Sequence, residues 1–199
     1  MLFTGEMVRA LLSGRKTQTR RIMKPQPSPG FLPEVGLYHR TEVDKRSGIE
    51  HPSKDLYYGV ADENEDYPCP YGQPGDRIWV RETFLMEVGA PIYRADYEEL
   101  VAVGLGAVHG GWKPSIFCTR AASRITLEIT RVRVERLQDI TELDALAEGV
   151  TIRTDAKIAS RVGSVGPATL EYWHLWEKIN GKGSWDKDPW VWVIEFKKL

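Results

Sequence analysis

The sequence predicts a small mixed β-barrel of the α+β class. Several short segments alternate apolar and polar residues, which is typical of half-buried strands, and few segments carry a helical repeat. No regular alternation of strands and helices is present, which argues against a parallel α/β sheet. The chain has 199 residues, of which 42% are hydrophobic, and it therefore has the size and composition of one domain with its own core.

The charge and cysteine content exclude several classes of protein. The 27 Lys and Arg residues balance 28 Asp and Glu residues, so a general polyanion binder is excluded and any nucleic-acid role depends on a local patch or pocket. Two cysteines cannot form a disulfide scaffold. No apolar run approaches the roughly 20 residues that span a bilayer, and the N-terminus lacks a signal-peptide pattern. We therefore expect a reduced, cytoplasmic protein with no membrane contact.

Caps and periodicity place the regular elements. One helix is predicted between the N-cap Thr4 and Gly14, a second between the capping-box residue Thr141 and Gly149, and a third opens at Pro167 and closes at Gly181. Strands are predicted at 77–82, around Tyr93, at 123–130, at 131–135 and at 190–196. The last of these is almost continuously apolar, as expected for a central strand that is covered on both faces.

Two stretches are predicted to be irregular insertions within a single domain of residues 1–199. Residues 25–68 begin with a run rich in Pro and Gly, include the acidic stretch 62–66, and show no sustained period of 2 or 3.6. We expect this insertion to be partly ordered at best. The second insertion, at 151–166, matches no motif. Residues 100–114 are also predicted to be irregular.

The most informative segment is 15–24, which holds five cations and no acid. Cations are favoured at a helix C-terminus, so the segment fits a solvated helix end. It also fits an anion or nucleotide pocket in which Lys16 and Thr19 share a surface. Burial and like charges lower the pKa of a lysine, which can then act as a base beside a nucleophilic threonine hydroxyl. Composition alone leaves both interpretations open.

Three other residues are candidates for the same function. Glu148 falls in the last turn of the second predicted helix, where a carboxylate faces the negative end of the helix dipole. Such conflicts are enriched at functional sites, although most glutamates at helix ends are solvated. Trp79 and Arg81 lie on the face of strand 77–82 that is opposite its core-facing residues. A Trp and an Arg on one exposed face can stack a base and bind a phosphate, or Trp79 can cover a second hydrophobic layer.

The sequence predicts neither a metal nor a dinucleotide cofactor. The four His residues have no metal-ligand spacing, and neither Cys lies in a CxxC motif. The glycines of residues 104–111 do not follow a strand into a helix at the spacing of a nucleotide-binding loop. Common hydrolase and nucleotide-binding motifs are also missing from the sequence.

Two motifs resemble the signature of the ASCH domain family. They are Gly14-x-Lys16-Thr17-x-Thr19-x-Arg21 and, downstream, Gly75-Asp76-x-Ile78-x-Val80-Arg81-Glu82. Other stretches resemble a phage and prophage branch of that family, namely CPYGQPGDRIWVRET, YRAD, SRITLEITRVRVERLQDITELDALAEGV and DPWVWVIEF. Together the matches cover more than half of the chain. The resemblance implies a PUA-like fold, which is a small β-barrel with flanking helices and a cleft associated with RNA or nucleosides.

Similarity to one ASCH branch, the N4-acetylcytidine amidohydrolases, implies an activity. Those enzymes use a Lys and a Thr of the first motif and a Glu of the helix after the barrel strands, which fall here on Lys16, Thr19 and Glu148. The resemblance implies metal-independent hydrolysis of an N4-acylated cytidine-like nucleoside. Thr19 would be the nucleophile, Lys16 its base, and Glu148 the group that orients Lys16 or relays a proton. Arg21 and a backbone N–H near Thr17 would stabilise the oxyanion.

The remaining candidates are expected to contact the substrate, and the resemblance leaves other functions open. Trp79, Arg81 and Glu82 are the expected substrate contacts. Residues 117–121 replace a segment that usually carries His, Met, Pro and Trp in the phage branch, so a base-stacking role is either vacant or moves to Trp79 or Trp112. The alternatives to the amidohydrolase are an RNA- or nucleotide-binding ASCH module without catalysis, and a ribonuclease.

Overall fold

The structure, a computed structural model, describes residues 1–31, 34–62, 65–87, 89–102, 111–153 and 165–199. In chain order its elements are α1 (Gly5–Leu12), β1 (Gln18–Ile22), β2 (Val35–Val43), β3 (Glu50–Ala61), β4 (Asp66–Pro68), β5 (Arg77–Trp79), β6 (Phe84–Glu87), β7 (Ala90–Tyr93), α2 (Arg94–Ala102), β8 (Thr126–Arg136), α3 (Glu142–Ala147), α4 (Pro167–Asn180) and β9 (Trp190–Lys198). Short 3₁₀ turns cover Ser115–Phe117 and Leu137–Asp139.

A curled antiparallel sheet forms a half-barrel at the centre of this α+β fold. Its strand order is β1-β9-β8-β5, and each neighbouring pair is antiparallel. In β9, Trp192, Ile194 and Phe196 pack into one apolar cluster. Val191 and Val193 pack into a second cluster with helix α4. Both faces of β9 are therefore covered, which explains its continuous apolar run and confirms its prediction as a central strand.

The predicted helices are confirmed with their caps. The Thr4 side chain accepts a hydrogen bond from the Met7 N–H, and Thr141 forms a capping box with Asp144 at the start of α3. Pro167 opens α4, where the missing proline N–H leaves no hydrogen bond unmade. Within the described ranges, no helix combines the length and apolarity needed to cross a bilayer.

The predicted strands are present, but the strand predicted at 77–82 ends at Trp79, and two other predicted strands are one. The segments at 123–130 and 131–135 form one strand, β8, whose register with β9 shifts between Ile129 and Arg131. Such a bulge interrupts the alternation of side chains, which explains why the sequence reads as two strands. Helix α2 was not predicted, because its apolar residues do not gather on one face.

The prediction that residues 25–68 are irregular needs correction, because a three-stranded antiparallel sheet, β2-β3-β4, lies within them. Most β2 side chains are exposed on both faces, so no alternation marks the strand, and a bulge between His39 and Thr41 breaks the period further. The sheet is attached to the core through Val60 and Tyr67. The prediction that residues 100–114 are irregular is wrong at 100–102, which form the end of α2, while residues 103–110 and 154–164 lie outside the described residues.

Candidate active site

A buried ion pair joins Lys16 to Glu148. Lys16 lies in the turn between α1 and β1, and Glu148 is the residue that ends α3. The Lys16 Nζ donates to Glu148 Oε2 at 2.8 Å and to the Glu148 backbone oxygen at 2.7 Å. Each residue is only 2% exposed. Lys16 and Glu148 therefore meet, as the expected role of Glu148 in orienting Lys16 requires, and Glu148 does not point into solvent.

Gly149 allows this close approach. Its φ of 87° lies in the left-handed region, which a glycine adopts without steric cost. A Cβ at this position would lie 2.8 Å from the Ala10 Cβ and 2.9 Å from the Lys16 Cβ. Only a residue without a side chain therefore lets α1 and the end of α3 pack this tightly against Lys16.

Arg20 brings a second cation to the same carboxylate. Its Nη1 donates to Glu148 Oε1 at 3.3 Å, and its Nη2 is bound to Glu135 of β8 and lies 3.5 Å from Asp144 Oδ2. The guanidinium is fully buried. Burying a charge is costly unless it is paired and hydrogen-bonded, and each charge in this network has at least one partner of opposite sign.

The surroundings of Lys16 lower its pKa. Burial is the largest cause, because desolvation penalises the ammonium form. The Glu148 carboxylate opposes this effect through its charge and its hydrogen bond, and the nearby Arg21 and Arg20 cations add to the lowering. The net result is a pKa below the ordinary lysine value of 10.5. A lysine in this environment is neutral over a wider pH range, as a general base requires.

Thr19 lies fully buried on β1, in contact with Arg21. Its Oγ1 accepts a hydrogen bond from Arg21 Nη1 at 2.7 Å. The ring of Phe3 contacts the cations on both sides of the site, because Lys16 Nζ lies 5.6 Å and Arg21 Cζ 5.4 Å from its centroid. The structure thus pairs Lys16 with Glu148 and Thr19 with Arg21. Across the described residues, no hydrogen bond joins Lys16 to Thr19.

A cavity of about 1350 Å³ opens beside this cluster. Glu148, Arg20 and Arg21 form part of its wall, while Lys16 and Thr19 lie in the layer behind them. Its aromatic lining consists of Phe3, Tyr67, Tyr71, Tyr172, Trp176 and Trp192. Small-molecule sites measure roughly 300–1,000 Å³ and are mostly apolar with a few placed polar groups. This cavity is therefore large enough for a nucleoside.

The expected role of Thr17 in oxyanion binding is corrected. Its backbone N–H donates to the Ala147 oxygen at 2.8 Å and is not free to bind a substrate. Its side chain is exposed and does not line the cavity. The turn that holds Lys16 against α3 uses this N–H, so its contribution is structural.

Trp79 and Arg81 lie apart from the large cavity. The Arg81 Cζ stands 4.5 Å above the Trp79 ring centroid, so the two side chains stack on each other. Trp79 lines a smaller cavity of about 290 Å³. Trp112 packs edge-on against Tyr97, with 5.2 Å between ring centroids. None of these residues stands in the wall beside Lys16 and Glu148.

Glu82 does line the large cavity, but it already has a cationic partner. Its two oxygens accept hydrogen bonds from Arg124 at 3.0 and 2.9 Å, and the residue is 1% exposed. Arg124 is bound in turn to Asp96 of α2. Glu82 therefore connects the start of β6 to α2 and to the start of β8.

Several residues of the site were not predicted as functional. Arg20 was counted among the cations of 15–24, but nothing marked it as the partner of Glu148. Tyr172 and Trp176 lie on α4, and no motif marked either residue as functional. Glu135 lies on β8 and Asp144 on α3. Their contacts with Arg20 are tertiary contacts, which local sequence patterns do not predict.

Fold and site together define an α+β protein with a buried lysine–glutamate pair, of which the glutamate lines a large cavity. Comparison with protein-family models, with curated proteins and with solved structures finds no match for this chain. Among the described residues, no group of three or more His, Cys, Asp or Glu side chains is placed to hold a metal ion.

Proposed function

We propose that this protein is a metal-independent amidohydrolase that removes the acyl group from an N4-acylated cytidine-like nucleoside. The observation that carries the proposal is the contact of Lys16 with Glu148, which lines the cavity, together with a pKa of Lys16 that burial lowers. Titratable groups with perturbed pKa values beside a cavity are enriched at catalytic sites. The curled half-barrel sheet is compatible with the PUA-like fold of the ASCH family, which we include in the proposal.

In the proposed mechanism, Thr19 Oγ1 attacks the acyl carbonyl carbon while neutral Lys16 takes the hydroxyl proton. Arg21 Nη1 lies 2.7 Å from Thr19 Oγ1 and donates to the oxyanion that forms on the former carbonyl oxygen. The intermediate collapses to a threonyl ester, and the N4 amine leaves with the proton from Lys16. A water then attacks the ester with Lys16 again as base, releasing the carboxylic acid and restoring the threonine hydroxyl. Glu148 positions the Lys16 Nζ in the resting site, and Nζ must move to within reach of Thr19 Oγ1, to which it is not hydrogen-bonded there, for the proton transfer.

The buried position of Thr19 adds a requirement to this mechanism. Thr19 has no exposed surface, and the Arg21 side chain that bonds to it lines the cavity. The substrate carbonyl must therefore displace Arg21 from Thr19 and accept the same guanidinium donor. This exchange replaces a hydrogen bond to a neutral hydroxyl with one to a developing negative charge, which is the stronger of the two.

The test compares Thr19→Val with Thr19→Ser, with N4-acetylcytidine as substrate and cytidine release as the readout. Valine keeps the shape of threonine and removes the nucleophile, so turnover should fall by at least about 100-fold. Serine keeps the hydroxyl and should retain measurable turnover. Thermal unfolding checks that both variants are folded, and added chelator should leave wild-type turnover unchanged. No cytidine release by the wild type, or full activity in Thr19→Val, would refute the proposal.

A second candidate is an RNA- or nucleotide-binding module without catalysis, and the charge of the cavity wall favours it. Among the described residues, seven Lys and Arg side chains line the cavity against four Asp and Glu. Three of those acids are paired, Glu148 with Arg20, Asp66 with Arg40 and Glu82 with Arg124. The lining cations outnumber the lining acids, and this excess of positive charge would attract phosphate.

The binding module and the ribonuclease are tested with labelled RNA. If the protein binds RNA through this cavity, Arg21→Ala should weaken binding and reduce its dependence on salt. Cleavage of the RNA during prolonged incubation would indicate the ribonuclease. Intact RNA, bound with an affinity that Arg21→Ala lowers, would indicate a binding module.

A further inference from the structure

A small cavity of about 290 Å³ lies beside β5 and the start of β8, apart from the Lys16–Glu148 pair. Three of the residues that line it are arginines, and among the described residues no Asp or Glu lines it. Arg124 is neutralised by Glu82 and Asp96. The charges of the other two arginines, Arg77 and Arg120, are not offset by any lining acid.

Arg77 and Arg120 are open to a ligand. Both residues are exposed, and in the described part of the chain neither forms an ion pair with a carboxylate. Glu128 stands opposite Arg77 in the β5–β8 register, but Lys197 binds it at 2.7 Å. A guanidinium carries five N–H donors, and the hydrogen bonds of Arg120 use two of them. Donors of both guanidinium groups therefore remain available to an anion.

These two arginines belong to one continuous surface. Arg77 and Trp79 are two residues apart on β5, so their side chains lie on the same face of the strand. Trp79 stands opposite Thr126 of β8, and Arg120 Nη2 donates to Thr126 Oγ1 at 3.1 Å. Arg81 extends the surface, because its Cζ lies 4.5 Å from the Trp79 ring centroid.

An exposed aromatic ring lies next to this surface. Arg81 Nη1 donates to the Ile116 oxygen at 3.4 Å, which holds the short turn that contains Phe117 against Arg81. Phe117 is 64% exposed, although burial of a phenylalanine ring is favourable. The arginine–aromatic patch, as we name this surface, consists of Arg77, Trp79, Arg81, Phe117 and Arg120.

Single-stranded nucleic acid has the chemistry that complements the arginine–aromatic patch. Its phosphates pair with Lys and Arg, and its unpaired bases stack on aromatic side chains. An acidic peptide supplies negative charge without the flat rings, and a duplex keeps its bases stacked inside the helix. The combination of unpaired cations with an exposed ring therefore favours a single strand over both.

We propose that the arginine–aromatic patch binds single-stranded nucleic acid, with phosphates at Arg77 and Arg120 and an unpaired base on Phe117. The proposal goes beyond the amidohydrolase, because it needs no hydrolysis and uses none of the proposed catalytic residues. It also gives Trp79 and Arg81, which lie apart from the large cavity, a ligand of their own.

The phosphate contacts are tested with a labelled single-stranded RNA of about ten nucleotides, a length within the range that single-strand-binding domains cover. Arg77→Gln and Arg120→Gln should each weaken binding at least about threefold and reduce the slope of log affinity against log salt by about 0.7. Both residues are exposed, so the variants should fold. The matched control is Arg46→Gln, at an exposed arginine in the turn between β2 and β3, which should change neither value.

The base contact is tested with Phe117→Ala, which should lower RNA affinity at least about fivefold because it removes a stacking surface. The matched control, Leu143→Ala, removes an apolar side chain of α3 that is 78% exposed, and it should have no effect. A duplex of the same sequence should bind at least about fivefold more weakly than the single strand, because its bases are not free to stack.

Unchanged affinity in all three patch variants would overturn this proposal, as would a wild type that binds no RNA. Weakening by Arg21→Ala alone would also overturn it, because the strand would then lie on the wall of the large cavity. Hexaglutamate that binds as tightly as the RNA would overturn it in favour of an acidic protein partner. None of these measurements needs turnover. Binding through the patch without hydrolysis of N4-acetylcytidine would therefore contradict the amidohydrolase and support the patch.

Discussion

The environment of Lys16 combines opposing influences on its protonation. Burial and the neighbouring Arg21 and Arg20 favour the neutral amine, whereas Glu148 favours the ammonium. Neither the burial nor the pairing was evident from the five cations of 15–24, which fitted a solvated helix end equally well. The arrangement allows a lysine to be charged in the resting site and still lose its proton below its ordinary pKa.

A pH profile of turnover tests this balance. Because the pKa of Lys16 is lowered, kcat/KM for N4-acetylcytidine should rise with pH along a limb whose midpoint lies below 10.5. Glu148→Gln removes the group that raises the pKa of Lys16, so the midpoint of the limb should move to lower pH. This shift is expected even if the variant also has a lower maximal rate. The profile is recorded after subtraction of spontaneous hydrolysis at each pH.

The matched control for Glu148→Gln is Glu195→Gln. Glu195 is a partly exposed carboxylate that is bound to Arg133. Its removal should leave the midpoint of the limb unchanged, because it does not contact Lys16. If the midpoint of the limb lies at or above pH 10.5 in the wild type, or moves to higher pH in Glu148→Gln, Lys16 is not the titrating base.

At the scale of elements, the junction of α1, β1 and α3 holds the site together. The Lys16 N–H donates to the Ala10 oxygen and the Thr17 N–H to the Ala147 oxygen, at 3.0 and 2.8 Å. These bonds connect the turn before β1 to the ends of both helices. Gly149 lies at the same junction, where there is no space for a side chain.

Gly149→Ala should therefore destabilise the fold and lower turnover together. We expect a loss of about 2–4 kcal/mol in the free energy of unfolding, because a left-handed φ costs alanine about 1–2 kcal/mol and the tight contact adds to it. The new Cβ would press on Lys16 and loosen its contact with Glu148. Denaturant unfolding and cytidine release measure the two effects.

Gly14→Ala is the control for backbone strain alone. Gly14 also has a positive φ, of 73°, but a Cβ there would meet no atom within 4 Å. Its substitution should cost only the strain, about 1–2 kcal/mol, and leave turnover of the folded protein unchanged. Equal losses of stability and activity at both positions would contradict a specific role for the contact between Gly149 and Lys16.

The elements that could be predicted from sequence are those whose signals are local. The side-chain caps at Thr4 and Thr141 and the proline at Pro167 fixed the helix starts, because a cap depends on neighbours within one turn. The β2–β3 hairpin was not predicted, because cross-strand pairing stabilises it while more than half of its side chains are exposed.

The site shows the same difference between local signals, which the sequence carries, and tertiary contacts, which it does not reveal. Lys16 and Glu148 were found through a resemblance between motifs, and physical pattern alone marked each only as a candidate. Thr17 was assigned a substrate role that its N–H cannot fill, because that group is bound to Ala147. Trp79 and Arg81 share a face as expected, but they stack on each other away from the large cavity. Local spacing does not predict which faces of the helices and strands meet in the folded protein.

Over the whole molecule, a nearly neutral chain with a net charge of -1 surrounds a cavity whose wall is rich in cations. The buried pair of Lys16 and Glu148 is shielded from dissolved ions, whereas the exposed cations are not. Catalysis on a small neutral substrate and binding of an RNA strand should therefore respond differently to salt.

We expect kcat/KM for N4-acetylcytidine to change less than about twofold between roughly 50 and 500 mM NaCl, because an uncharged substrate releases no counterions. Binding of RNA, if it occurs, should weaken steeply over the same range. Arg21→Ala should reduce that slope by about one, while Lys45→Ala, at the exposed tip of the β2–β3 hairpin, should leave it unchanged. A steep fall of turnover with salt would contradict catalysis in an enclosed pocket and indicate that the cationic wall binds a strand as its main ligand.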